Sequence, residues 1–123
     1  SGGELARISL AISVITSKAS FTPTLIFDEV DAGIGGAVAE TVGKLLRQLG
    51  ESHQILCVTH LPQVAAQGNH HLKVSKSQAG DKTLSQVMPL GRSERVEEVA
   101  RMLGGATITD TTRRHARELL EQN

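Results

Sequence analysis

The sequence has no tryptophan and no tyrosine, and Phe21 and Phe27 are its only aromatic residues, so any core must be aliphatic. A single cysteine, Cys57, excludes an internal disulfide framework and fits a reducing cytosol. There is no polybasic run. The 13 basic and 13 acidic side chains cancel, and their distribution is only mildly uneven: residues 1–60 carry 4 basic and 6 acidic groups, residues 61–123 carry 9 and 7. Charge alone therefore announces no nucleic-acid surface. Apolar runs such as Ile55–Val58 stop at four residues, against the roughly 20 that a membrane helix needs, and no signal-peptide pattern is visible. Internal repeats and low-complexity tracts are absent as well. What is present, 39% apolar residues in a 123-residue chain, suffices for one modest soluble α/β domain. The chain opens on Ser1-Gly2-Gly3-Glu4, without an initiator methionine and directly against an amphipathic segment. It is expected to be a fragment of a longer polypeptide.

Residues 4–17 place Leu5, Ile8, Ile12 and Ile15 at spacings of three and four, which predicts a helix with these four as its apolar stripe. Thr24-Leu25-Ile26-Phe27, preceded by Pro23 and closed by Asp28-Glu29, predicts a buried strand of a parallel sheet. A loop at Gly33, Gly35 and Gly36 leads to a second helix through Val38, Val42, Leu45 and Leu49, stopped by Gly50. Gln54–Thr59 predicts another buried strand, closing on His60-Leu61-Pro62, so that strand, helix and strand form a βαβ unit. His71–Lys76 and Thr83–Met88 predict an antiparallel hairpin about Gln78–Asp81. A helix with Val96, Val99 and Leu103, capped by Gly104-Gly105, and a last helix opening at Asp110 complete the chain.

Three features carry chemistry. Asp28 and Glu29 end a strand at the rim where parallel α/β sheets bind ligands. There one carboxylate suits a hard cation such as Mg²⁺, and the next can orient a water that attacks a phosphate. A strand ending in a solvated acidic turn is the plain structural alternative. Ser1-Gly2-Gly3 stands at a helix start, where glycines let backbone N–H groups approach a phosphate. His60 closes the second strand at the same sheet edge, placed to hydrogen-bond a phosphate oxygen.

Taken together, SGGE, a helix, four apolar residues, DE, a short loop, a helix, a strand and TH resemble the C-terminal half of an ABC-type ATPase head. Within that superfamily, Phe27-Asp28-Glu29-Val30-Asp31 followed by Ala32-Gly33-Ile34-Gly35-Gly36, with Thr59-His60-Leu61-Pro62-Gln63-Val64-Ala65, resembles the RecN family of SMC-like bacterial DNA-repair ATPases. The resemblance implies an ABC/SMC-type P-loop NTPase head fold, mostly parallel strands flanked by helices plus an antiparallel hairpin, of which residues 1–123 are the C-terminal part. It implies ATP and Mg²⁺ as cofactors, with Ser1, Gly2 and Gly3 as the signature motif that meets the γ-phosphate held by a second head. Asp28 would support Mg²⁺, Glu29 would position the attacking water and His60 would be the switch histidine. The implied partners are DNA, a second head in a homodimer and the missing N-terminal half of the same head, with no membrane. The implied setting is the bacterial cytoplasm at the nucleoid, and the implied role is recombinational repair of double-strand breaks.

Two departures stand out. Gly35 takes the place of the D-loop aspartate of related heads, leaving Asp31 as the candidate to replace it. No GxxxxGK[ST] phosphate loop occurs anywhere, so the chain by itself is expected not to turn over ATP. Two other readings stay open: a head fragment of another SMC-type chromosome or recombination ATPase, and a non-catalytic phosphate-binding or interaction module. His70-His71 as a metal pair, a reactive Cys57 and a DNA contact at Arg113, Arg114 and Arg117 are the lesser readings; opposed strand faces, burial and a solvated helix face argue against each in turn.

Overall fold

A computed structural model describes residues 2–19 and 22–122. In chain order the elements are α1 (Gly2–Ile15), β1 (Thr24–Phe27), α2 (Gly36–Leu49), β2 (Gln54–Cys57), α3 (Pro62–Ala65), β3 (Leu72–Ala79), β4 (Lys82–Pro89), α4 (Arg92–Gly104) and α5 (Asp110–Glu121). β1 and β2 pair in parallel, with Thr24 opposite Gln54 and Phe27 opposite Cys57, and α2 makes the crossover between them. The expected βαβ unit is therefore present. The main core lies on one face of this two-stranded sheet, where Phe27 and Val30 meet Leu10 of α1, Ala39, Val42, Leu46 and Leu49 of α2, and Val64 of α3.

Both expected strands are covered on that face alone. Ile26 is 69% exposed, and Leu56 and Val58 are also open. Strand side chains alternate between faces, and among the described residues nothing packs on the second one, so the expectation of buried strands holds for half their side chains. β2 also ends at Cys57, two residues earlier than the apolar pattern suggests.

α1 forms where the spacing predicts, with the opposite face inward. Leu5, Ile8, Ile12 and Ile15 are exposed, while Gly3 and Leu10 are buried and Ala6 and Val14 are partly so. The segment is apolar nearly all round (positions 10–12 are Leu, Ala and Ile), so two stripes compete, and the close approach allowed by Gly3 decides between them. In α2 the buried positions are Ala39, Val42, Gly43, Leu46 and Leu49, and Val38 turns outward. α3 was not expected from the sequence; Pro62 at its first position pre-sets the helical φ without leaving an unsatisfied N–H.

The C-terminal part has its own small core of Val99, Ala100 and Ala116, with Val96, Leu103, Ile108, Leu119 and Leu120 packed on it. β3 and β4 form the expected hairpin, turning at Gly80-Asp81, where Gly80 takes φ 66°. α5 is capped by Thr109, whose hydroxyl accepts from the Thr112 N–H at 3.2 Å. Lys73 of β3 joins buried Glu98 of α4 at 3.0 Å, which ties the hairpin to the helical pair. Among the described residues no helix is long and apolar enough to cross a membrane.

Candidate functional site at the strand ends

Because β1 and β2 run in parallel and in register, both chains leave the sheet at the same edge, and the ladder continues one step further as Val58 N–H donates to Phe27 C=O at 2.9 Å. Asp28 and Glu29 follow β1 and Thr59 and His60 follow β2, so the three residues singled out from the sequence on these strands lie on one rim. Asp28, Glu29 and His60 are all exposed there.

Glu29 adopts φ 62°, the only left-handed non-glycine among the described residues. Such a conformation costs an L-residue of this kind about 1–2 kcal/mol, and it is held by the tight turn that follows, in which Ala32 N–H donates to Glu29 C=O at 3.0 Å. The turn swings the Glu29 carboxylate toward the start of α1, where a Cβ placed on Gly2 would collide with Glu29 Oε2. The helix N-terminus favours an anion there. Gly3 is pressed against the loop after β1, and a Cβ on it would meet the Ala32 carbonyl oxygen at 2.9 Å. Arg7 completes the junction by donating from Nη1 to the carbonyls of Ala32 at 2.7 Å and Val30 at 3.3 Å. Gly2, Gly3, Asp28, Glu29 and His60 are thus brought to one region. Ser1 lies outside the described residues.

Arg7 and Thr59 were not singled out from the sequence, and Asp31 was left there as an open candidate for the D-loop position. Asp31 is 3% exposed and points inward rather than outward as a stand-in for the D-loop aspartate. Its Oδ2 accepts from the Thr59 hydroxyl, from the His60 backbone N–H at 3.0 Å, and lies 3.2 Å from His60 Nδ1. The signal was a third carboxylate, two positions after Glu29 and beside the apolar Val30, with a hydroxyl residue preceding the histidine. Cys57 lies behind the rim. Burial, then the nearby charges of Asp31 and Asp28, push its thiol up to about 12, which leaves it an inert core residue. His70 and His71 precede β3, away from the β1–β2 rim; burial, then the charge of Arg95, lowers the pKa of His71. Arg113 ion-pairs with Glu97 at 2.7 Å and Asp110 at 3.2 Å, so it is engaged in holding α5 to α4.

The donor set bears on what this rim could hold. Among the described residues no three His, Cys, Asp or Glu side chains converge into a metal cage. Mg²⁺ bound together with nucleotide phosphates asks the protein for only one or two carboxylates, and exposed Asp28 fits that requirement.

No protein-family model matches the chain. Among curated proteins it is 58% identical over 98% of its length to the DNA repair protein RecN of Vibrio cholerae. It is 56% identical over 98% to RecN of Haemophilus influenzae, and 45% identical over 99% to RecN of Bacillus subtilis. The chain spans only 22%, 22% and 21% of those proteins. A solved structure from work on ATP-driven dimerization and DNA-stimulated activation of SMC ATPases superposes with a TM-score of 0.64 at 23% identity, covering 87% of this chain and 64% of that one. Over nearly its whole length the chain is similar to a stretch about a fifth as long as RecN, and it has the fold of an SMC-type ATPase head.

Proposed function

We propose that the chain is the part of a RecN-type ATPase head that carries the signature motif, the Walker B strand and the switch histidine, and that the complete protein hydrolyses ATP between two heads. The observation that supports this most is the in-register β1–β2 pair, which sets Asp28, Glu29 and His60 on one rim. Bound Mg²⁺–ATP would supply the electrophilic γ-phosphorus and the charge neutralisation around it. The protein's own groups then have separate tasks. Asp28 holds the cation. The Glu29 carboxylate accepts a hydrogen bond from the attacking water and aligns it. His60 meets the γ-phosphate on the same head, and the signature motif Ser1-Gly2-Gly3 meets the γ-phosphate of a partner head.

A P-loop lysine and a β-phosphate cradle must come from the rest of the polypeptide, since the sequence has neither. That remainder, which would form the N-terminal half of the head, is also the occupant proposed for the open sheet face at Ile26, Leu56 and Val58 and for the outer stripe of α1. The name of these relatives, DNA repair protein RecN, supports a role in DNA repair. We assign the intact protein to recombinational repair of double-strand breaks, acting on DNA as a homodimer of heads in the bacterial cytoplasm at the nucleoid.

The test is a pair of substitutions in the full-length protein. Glu29→Gln keeps shape and leaves the cation ligand intact, so ATP binding and head pairing should survive while turnover falls by about 10²–10⁴, the worth of a positioned base. Asp28→Asn removes charge from the cation site and should weaken Mg²⁺-dependent ATP binding as well. Equal and small effects at both positions would defeat the assignment.

A further inference from the structure

We propose that Asp31 is a positioning residue for His60, fixing the orientation and tautomer of the imidazole at the rim. This rests on the ATPase reading for its consequence in turnover, but not for its geometry.

Asp31 is buried, whereas the His60 side chain is 69% exposed on an open rim. An exposed imidazole with no partner would sample several rotamers, and an aligned ring needs an anchor from beneath. Asp31 Oδ2 supplies one. It takes the backbone N–H of His60 at 3.0 Å and faces ring Nδ1 of the same residue at 3.2 Å, so main chain and side chain are held by one oxygen. The Thr59 hydroxyl donates to that oxygen too, and its own oxygen accepts from the Leu61 N–H at 3.1 Å. The turn carrying His60 is therefore pinned on both sides of the histidine.

A carboxylate can only accept hydrogen bonds. A proton on Nδ1 turns this approach into a hydrogen bond, and Nε2 is then the ring nitrogen left for the rim: an acceptor in the neutral ring, and a donor to a phosphate oxygen only in the cationic ring. The arrangement parallels the general rule that a histidine's working nitrogen is set by the bond its other nitrogen makes. It also explains why an aspartate sits inside a turn between two otherwise apolar neighbours, Val30 and Ala32: Asp31 is buried with its carboxylate already occupied, and it contributes nothing to an outer surface.

The test uses the full-length protein with D31N, H60A and the double variant. Asparagine fills the same space and can still accept from Thr59 and the His60 N–H, but it carries no charge and no longer dictates which ring nitrogen is protonated. D31N should lower kcat about 10- to 100-fold, the usual worth of an orienting partner, with KM for ATP within about twofold. In the H60A background the same substitution should change kcat by less than about twofold, because there is no ring left to orient. An equal D31N defect in both backgrounds, or a wild-type kcat for D31N, would overturn the positioning role. A wild-type kcat for H60A would instead overturn the part given to His60 in the ATPase reading. If D31N does not fold, ¹⁵N spectra of histidine-labelled wild-type protein, taken where the ring is neutral, decide the matter. The Nδ1–H tautomer for His60 supports the proposal, and the Nε2–H tautomer overturns it whether or not the protein is an ATPase.

Discussion

Glu29 offers an unusual test, because the same residue carries a backbone cost and a proposed chemical task. Its φ of 62° is unfavourable for any residue with a Cβ, by about 1–2 kcal/mol. Its side chain is exposed, so truncation removes little packing. Glycine relieves the left-handed cost but loses about 0.5–1 kcal/mol more backbone entropy on folding. The balance is a net stabilisation of about 0.5–1 kcal/mol for Glu29→Gly relative to Glu29→Ala, since both variants lose the carboxylate that the start of α1 favours. Glu29→Ala and Glu29→Gln keep the Cβ and with it the strain, so they should stay within about 0.5 kcal/mol of the parent. Equilibrium urea unfolding of the four proteins measures this directly. With m near 1–3 kcal/mol/M, the glycine variant should have its midpoint a few tenths molar above that of Glu29→Ala at unchanged m. In the full-length protein the same variant should lose turnover as severely as Glu29→Gln. A site that gives up stability for chemistry behaves in this way. A midpoint for Glu29→Gly at or below that of Glu29→Ala would refute the strain argument.

Three further outcomes are expected. Leu10→Ala should cost about 2–5 kcal/mol, since Leu10 is 1% exposed in the main core, whereas Ile12→Ala on the open face should be near neutral in this chain; the reverse order in thermal melts would show that α1 packs by its other stripe. Cys57, with its thiol pushed up to about 12, should react with a thiol reagent at pH 8 far more slowly when folded than in urea, and equal rates would contradict its burial. Glu98 is held below the usual carboxylate range by its hydrogen bonds to Arg101, and then by Lys73, against an opposing push from burial. Its contribution is therefore present above the unfolded value near 4.3 and is lost as pH falls through the lower folded value. Glu98→Gln should flatten the acid limb of the stability curve below about pH 4.3, and an unchanged limb would show that the Lys73–Glu98–Arg101 cluster contributes nothing.

Much of the architecture was readable because it is local. Thr24–Phe27 is bounded by Pro23 and by Asp28-Glu29, and a run so punctuated has one reasonable length. Gly80-Asp81 and Gly104-Gly105 mark the turn and the helix end through conformations that only glycine adopts cheaply. The rim followed as well, since a short βαβ unit is parallel and sends both strand ends to one edge. What stayed illegible depended on which neighbour each face meets. α1 is apolar around most of its circumference, so periodicity offered two stripes, and contact with the loop at Ala32 through Gly3 selected the one containing Leu10. The second face of the β1–β2 sheet reads as buried in sequence and is open here, because burial belongs to a pair of surfaces and not to a strand. Asp31 shows the same limit at the site. Its type and position were plain in the sequence, but the direction of its carboxylate, inward to Thr59 and His60, exists only once two loops 28 residues apart are brought together by the register of the strands before them.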